Sequence, residues 1–253
     1  MVERWNPCGG LFLQISIEEL TGMGKEDLIT SNPLRVLGLD NKAEEGRQSL
    51  GLVMARAGLG KTAILVQIAL DSMLRGNRVL HVAIGETIEK TRDRYEDILT
   101  KMVEDLNEET ESDLSRRRMI MTFKENVFSR AMLEERLKDL IQQDVFKPDC
   151  LIIDGYDFDG NGRQAMEDLK QLMAELGISV IWFSAVSHRE DPRTSADGVP
   201  APCHTIDDLF EVVLVINPQD SVMKLDILRC AYCEVEPGTT LLLDPSTMLI
   251  QKS

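Results

Sequence analysis

The chain of 253 residues is long enough for one α/β domain with a full hydrophobic core. Its net charge of −15 and its aromatic fraction of 5% argue against a nucleic-acid surface, because phosphates recruit Lys and Arg and bases stack on aromatic rings. No stretch has the roughly 18 apolar residues that a membrane span needs, and the first residues lack the pattern of a secretion signal. Five cysteines without regular spacing favour a reducing compartment, so we expect a cytoplasmic protein.

The chain divides into two regions. Residues 1–47 are predicted to form a lead-in segment with one short strand at Leu11–Ile17, and residues 48–253 to form the main domain. Strands are predicted at residues 49–54, 78–84, 119–123, 150–153 and 178–183, and helices at residues 61–74, 87–106, 130–144 and 164–176. This alternation predicts an α/β fold with a mainly parallel sheet and helices on both faces. Three later strands without helices between them, at residues 212–216, 224–229 and 239–243, predict an antiparallel C-terminal edge.

The acidic stretch at residues 104–113 meets a basic run at residues 116–118. We interpret the acidic stretch as a solvated connection between two elements, because blocks of like charge usually face water.

The segment Ala55–Thr62, with the sequence ARAGLGKT, fits the pattern [AG]-x4-G-K-[ST] of a phosphate-binding loop. Small residues let successive backbone N–H groups point at a phosphate, and the helix that follows adds the positive end of its dipole. Lys61 is expected to reach the β- and γ-phosphates, and Thr62 to place its hydroxyl on Mg²⁺. ATP and Mg²⁺ are therefore the expected cofactors. The predicted nucleotide-binding residues are Ala57, Gly58, Leu59, Gly60, Lys61, Thr62 and Ala63.

Asp154 follows the apolar strand predicted at residues 150–153. Because parallel strands end at the same edge of a sheet, this carboxylate should lie beside the phosphate loop, where it can hold a Mg²⁺-bound water. The predicted metal-binding residues are therefore Thr62 and Asp154. A buried strand that ends in an aspartate without any such role is the alternative.

The block Gly51–Glu86 resembles the RecA-like core of the KaiC, RadA and DnaB group of ATPases. The resemblance rests on the order of strand, phosphate loop, long helix, Gly-x-x-Val at residues 76–79, strand and glutamate, and it covers about residues 48–245. It implies a RecA-like P-loop NTPase in which Glu86 polarises the attacking water. The candidate catalytic residues are therefore Glu86 and Lys61, with a solvent-facing glutamate at a helix start as the alternative for Glu86.

The sequence departs from this group after two of its strands. Ala185 follows Ser184 where the helicase branch has a polar sensor, often glutamine. The clock-ATPase branch has a histidine nearby, and His188 is the candidate for that role here, with a surface histidine of the loop as the alternative. The late strand of the group commonly carries Lys-x-Arg, which reaches the γ-phosphate of a neighbouring subunit. Here Arg229 remains and Ala231 occupies the second position, which argues against hydrolysis stimulated across a subunit interface.

Two loops grip DNA in RecA-like motors, and both have a net charge of −1 here. Residues 155–163 contain two acids and one arginine, and residues 188–204 contain three acids and two arginines. We therefore expect a Mg²⁺-dependent ATPase that acts on or through a protein partner or as a homo-oligomer, with nucleic acid disfavoured. The alternatives are a nucleotide-gated switch or scaffold with little turnover, and a DNA-dependent motor.

Two further patterns have weaker support. Cys230 and Cys233 have the spacing of a zinc knuckle, but residues three apart on a strand face opposite sides, so two core thiols are the favoured interpretation. Further ligands of such a knuckle would be Cys203 and His204. Arg94 or Tyr95 occupies the position where the RecA-like group often places a base-stacking residue, and an exposed helix face explains them equally well.

Overall fold

A computed structural model describes residues 48–102, 107–219, 222–231 and 238–251. The predicted lead-in at residues 1–47, with its strand, lies outside the described residues. The strands are β1 (Ser49–Ala55), β2 (Val79–Ile84), β3 (Arg118–Phe123), β4 (Cys150–Asp154), β5 (Val180–Val186), β6 (Val212–Gln219), β7 (Val222–Cys230) and β8 (Thr240–Leu243). The α-helices are α1 (Lys61–Leu74), α2 (Ile88–Met102), α3 (Glu108–Arg117), α4 (Arg130–Gln142) and α5 (Arg163–Glu175).

The eight strands form one sheet in the order β3-β2-β4-β5-β1-β6-β7-β8. The first six strands in this order run parallel to one another, and β7 and β8 are antiparallel. The prediction of an α/β fold with a mainly parallel sheet and an antiparallel C-terminal edge is therefore confirmed. As a result, β1, β2, β4 and β5 all end at one edge of the sheet, which is where ligands bind in open α/β sheets.

Helices cover both faces of the sheet and bury its apolar strands. In β1, Leu50, Leu52 and Met54 pack with α4 and α5, whereas the intervening Val53 and Ala55 pack with α1, α2 and α3. This alternation follows from the period of two in a strand, and it explains why β1 is apolar throughout. Within the described part of the chain, no helix is long and apolar enough to cross a membrane.

The predicted solvated connection at residues 104–113 is wrong for residues 108–113, which form the start of α3. Asn107 caps this helix, because its side chain accepts a hydrogen bond from the Thr110 amide at 2.8 Å. Acids occupy the first turn and arginines the last, and this distribution matches the helix dipole. The buried Leu114 attaches the helix to the core, so the charge run is the exposed face of a packed helix.

Candidate functional site

The phosphate loop connects the end of β1 to the first residue of α1. Gly58 and Gly60 have φ angles of +76° and +88°, a region that glycine reaches without strain. Gly60 is the N-cap of α1, and no acidic residue in the first turn of this helix neutralises its positive end. The loop therefore presents glycine backbone and a helix N-terminus without an acid of its own at the edge of the sheet, as an anion site requires.

Lys61, at the start of α1, is half-buried beside the loop. Its ammonium group donates a hydrogen bond to the Arg56 carbonyl, with an N···O distance of 3.4 Å. Burial lowers the pKa of Lys61 from its usual value, and the negative charge of Asp154 partly offsets this effect. The side chain thus lies next to the loop backbone, within the electrostatic influence of the predicted metal ligand.

Thr62 and Asp154, which are 92 residues apart in sequence, are in direct contact. The Thr62 hydroxyl donates to Oδ2 of Asp154 at 2.6 Å. The Ser184 hydroxyl donates to the other carboxylate oxygen, Oδ1, and accepts a hydrogen bond from the Gly155 amide at 3.0 Å. This arrangement arises because β5 lies between β1 and β4, with Ile153 in register with Phe183.

A cleft of about 360 Å³ opens in front of this cluster. Lys61, Thr62 and Ser184 lie along it, and His188 lies at its rim, with Nε2 3.4 Å from Oδ2 of Asp159. In the described part of the chain, Lys61 is the one lysine or arginine that lines the cleft. Five carboxylates line it: Glu86, Glu125, Asp154, Asp157 and Asp159. The cleft is therefore acidic.

Glu86, the predicted catalytic glutamate, lies two residues beyond β2 and lines the same cleft as Lys61 and Asp154. Its carboxylate is held by Lys90, whose Nζ lies 2.9 Å from Oε1 and 2.8 Å from Oε2. Both side chains are about half or more exposed, at 49% for Glu86 and 71% for Lys90. A pair this exposed stabilises weakly, so it can open at low cost.

Glu125 is a cleft residue that the sequence interpretation missed. It lies two residues beyond β3, and its carboxylate packs over Gly85, where an added Cβ would come within 2.6 Å of Oε1. The signal was available, because β3 ends at the same edge of the sheet as β2 and β4. A carboxylate just beyond any of these strands belongs to the same set of candidates.

A second cleft, of about 470 Å³, lies along the phosphate loop and shares Lys61 and Thr62 with the first. Arg94 lines it, together with residues of the C-terminal strands and turn: Met223, Pro245, Ser246 and Met248. Tyr95, the other base-stacking candidate, is fully buried, and its hydroxyl lies 3.0 Å from Nδ1 of His81. Tyr95 therefore cannot stack on a bound base, whereas Arg94 lies where it could contact a nucleotide.

Arg229 is held within its own chain. Its guanidinium donates to the Phe210 carbonyl at 3.2 Å and to Oδ2 of Asp207 at 3.2 Å, and it also pairs with Asp197. These contacts leave few donors for a neighbouring subunit. The structure thus gives a physical basis for the expectation that this arginine does not act across an interface.

Two of the three arginines in the loops that would grip DNA are paired within the chain. Arg163 pairs with Asp208 and Arg193 pairs with Asp191, each with an N···O distance of 2.5 Å. A cation that is already paired contributes less to phosphate binding, because its partner must be displaced.

The cysteines give no support to a zinc site. Cys150 and Cys203 are buried free thiols, and burial raises the pKa of both, that of Cys150 to about 12. Cys230 is half-buried and disulfide-bonded, so its interpretation as a free core thiol is wrong. Cys233 lies outside the described residues. Among the described residues, no group of three or more His, Cys, Asp or Glu side chains is arranged to hold a metal ion.

No protein-family model and no curated protein matches the chain. The function must therefore be inferred from the residues and geometry of the cleft.

Proposed function

We propose that the chain is a RecA-like, Mg²⁺-dependent ATP-binding protein with ATPase activity. The observation that carries this proposal is the 2.6 Å contact between the Thr62 hydroxyl and the Asp154 carboxylate beside a glycine-rich loop. A glycine-rich turn that arises by chance has no reason to place its threonine against a carboxylate from a strand two positions away in the sheet. A site for a metal-bound phosphate requires this pairing.

The residues present fit a magnesium ion. Mg²⁺ takes oxygen ligands, keeps several waters, and is usually bound through one or two carboxylates and the phosphates of its substrate. Each oxygen of Asp154 accepts one hydroxyl and retains a lone pair for a metal-bound water. The Thr62 hydroxyl oxygen, which donates a hydrogen bond to Asp154, likewise retains lone pairs that can bind the ion. When bound, the ion would supply positive charge next to the phosphates.

Residues of the chain would bind the phosphates, orient the attacking water and contact the nucleoside. Lys61 and the backbone N–H groups of residues 57–61 would hold the phosphates, and Glu86 would orient the attacking water. Arg94, in the adjoining cleft, would contact the nucleoside. The acidic lining makes tighter ATP binding in Mg²⁺ than in its absence an expected property, because five carboxylates and one lysine repel a bare polyphosphate.

A nucleotide-gated switch with little turnover is a second candidate, favoured by one observation. Arg229 is engaged by acids of its own chain, so it would not reach the phosphates until a binding event rearranged these contacts. The exposed pair of Glu86 and Lys90 opens too readily to hold back turnover by itself. We propose a protein partner or a second copy of the chain as the binding event, because the loop arginines Arg163 and Arg193 are neutralised by neighbouring acids.

The proposal is tested by measuring ATP affinity in Mg²⁺ for the unmodified protein, Lys61→Ala and Lys124→Ala. Removing Lys61 should weaken binding at least tenfold, or by about 1.4 kcal/mol. Lys124 is exposed and lies outside the cleft, so its replacement should change affinity less than twofold or so. Unchanged affinity in Lys61→Ala would remove the basis of the proposal.

Phosphate release then separates the candidate functions. Turnover without additions supports an ATPase, and tight ATP binding with negligible turnover supports a switch. Single-stranded DNA should bind no tighter than about 10⁻⁴ M at physiological salt, including with a non-hydrolysable ATP analogue. Sub-micromolar binding that falls steeply with salt would instead restore the DNA-motor alternative.

A further inference from the structure

The Ser184 hydroxyl occupies a fully determined position beside Asp154. Ser184 is 2% exposed and lies near the end of the buried part of β5, next to the end of β4. Its single proton goes to Oδ1 of Asp154, and one of its lone pairs accepts the Gly155 amide. Since both contacts are made by one buried oxygen, neither the hydroxyl nor the carboxylate can rotate without losing a hydrogen bond.

We propose that Ser184 is a positioning residue that sets the orientation of the Asp154 carboxylate before Mg²⁺ and nucleotide arrive, an inference that rests on the proposed ATP-binding function. Thr62 contacts the same carboxylate, but it lies in the first turn of α1 after the phosphate loop, where it would also contact the ligand. Ser184 lies on a strand between β1 and β4 and holds Asp154 from the side of the sheet.

Removal of the hydroxyl would leave two groups without partners. In Ser184→Ala, Oδ1 of Asp154 and the Gly155 amide both lose their hydrogen bonds, and the methyl group replaces neither. The carboxylate then gains freedom to turn about its last bond. Loss of such outer contacts costs about 10- to 100-fold in metal affinity in metal sites generally.

We therefore expect Ser184 to affect how strongly Mg²⁺ enhances ATP affinity. The assay measures binding of a fluorescent ATP analogue in saturating Mg²⁺ and in EDTA, and its readout is the Kd in EDTA divided by the Kd in Mg²⁺. Ser184→Ala should reduce this ratio about tenfold or more while Kd in EDTA stays unchanged. Ser184→Thr keeps the hydroxyl and should restore the ratio to within about threefold.

Two further variants separate positioning from general destabilisation. Ser184→Cys has nearly the same volume and a weaker donor, so its ratio should fall between those of the serine and alanine proteins. Ser72→Ala removes a buried hydroxyl, 3% exposed, that contacts Asn77 at the end of α1 remote from the phosphate loop. The Ser72 variant should keep the full ratio even where its Tm falls.

Each outcome decides the proposal. A full Mg²⁺ enhancement in Ser184→Ala, or an equal loss in Mg²⁺ and in EDTA, would overturn the positioning role while leaving ATP binding intact. Failure of both the threonine and cysteine variants to recover any enhancement would also overturn it. Absence of Mg²⁺-dependent binding in the unmodified protein is a different result, which overturns the proposed function and this inference together.

Discussion

Replacement of Gly60 by alanine distinguishes two reasons for a glycine in the phosphate loop. Gly58 and Gly60 both have positive φ angles, so alanine at either position strains the backbone by about 1–2 kcal/mol. An added Cβ at Gly58 would have no neighbour within 4 Å, whereas at Gly60 it would lie 2.4 Å from Cε of Met248. Gly58→Ala therefore measures strain alone, and Gly60→Ala measures strain plus a steric conflict.

The conflict at Gly60 falls on the thioether end of the flexible Met248 side chain, which can turn aside. The Met248 carbonyl accepts a hydrogen bond from the buried Gln67 side chain at 2.9 Å, so the side chain moves rather than the turn. The steric cost is therefore at the low end of the range for overpacking, about 1 kcal/mol, and the total for Gly60→Ala is about 2–3 kcal/mol. Adding Met248→Ala should remove the steric part and return the cost of Gly60→Ala to that of Gly58→Ala.

Urea unfolding followed by circular dichroism gives the free energies of unfolding for five proteins: the unmodified protein, Gly58→Ala, Gly60→Ala, Met248→Ala and the Gly60→Ala/Met248→Ala double variant. A double-mutant cycle between Gly60→Ala and Met248→Ala should show a coupling of about 1 kcal/mol. Equal destabilisation by the Gly58 and Gly60 variants, with no measurable coupling, would refute the contact between the Met248 side chain and the phosphate loop.

The remaining predictions concern hydrolysis and pH. Glu86→Gln should leave ATP affinity nearly intact and slow phosphate release about 100-fold, as expected for loss of a general base, whereas Glu89→Gln outside the cleft should not; a normal rate in Glu86→Gln would assign the base elsewhere. Burial lowers the pKa of His81 from 6.5 to about 4. Between pH 6.5 and 4 this histidine is therefore protonated in the unfolded chain and neutral in the folded chain. The free energy of unfolding should therefore fall by up to about 3 kcal/mol between pH 6.5 and 4. His81→Gln should flatten that fall in urea titrations, and the same pH dependence in His81→Gln and the unmodified protein would contradict the role of burial.

The parts of the fold set by local pattern could be predicted from the sequence. Apolar strands that alternate with helices can pack in few ways, and parallel strands end together, so Thr62 and Asp154 could be placed at one edge without knowledge of the strand order. The order of the strands in the sheet could not be derived from the sequence, because it depends on how many strands each helical connection passes over. The position of β5 between β1 and β4 is therefore a structural finding, and with it the contact of Ser184 with Asp154.

The helical periodicity of α2 predicts which of its residues are buried. Thr91, Tyr95 and Ile98 are the buried residues of this helix, and their spacing of four and three marks one face. That face turns inward, so Tyr95 packs against His81, whereas Arg94, one position away, lines the cleft along the phosphate loop. The spacing of the apolar residues in α2 is therefore sufficient to predict a buried Tyr95 and an exposed Arg94.

Non-local ion pairs are the part that sequence could not supply. Arg229 contacts Asp207 and Asp197, which lie 22 and 32 residues away, and no spacing rule links residues so far apart. From sequence, Arg229 was a basic residue that remained from a Lys-x-Arg pattern. In the structure its ion pair with Asp197 connects β7 to the loop that begins at His188, so its charge stabilises the position of that loop.

The acidic lining of the cleft bears on the choice between an ATPase and a switch. Stabilisation of a transferring phosphoryl group needs positive charge at the oxygens where negative charge develops. Lys61 supplies one such charge, and in the described part of the chain no other lysine or arginine lines the cleft. Beyond the proposed Mg²⁺ ion, we expect a further cation to come from a partner, because Arg229 is paired, Lys90 pairs with Glu86 and Arg94 lies in the adjoining cleft. We therefore expect slow turnover by the chain alone and faster turnover with a partner that brings positive charge to the phosphates.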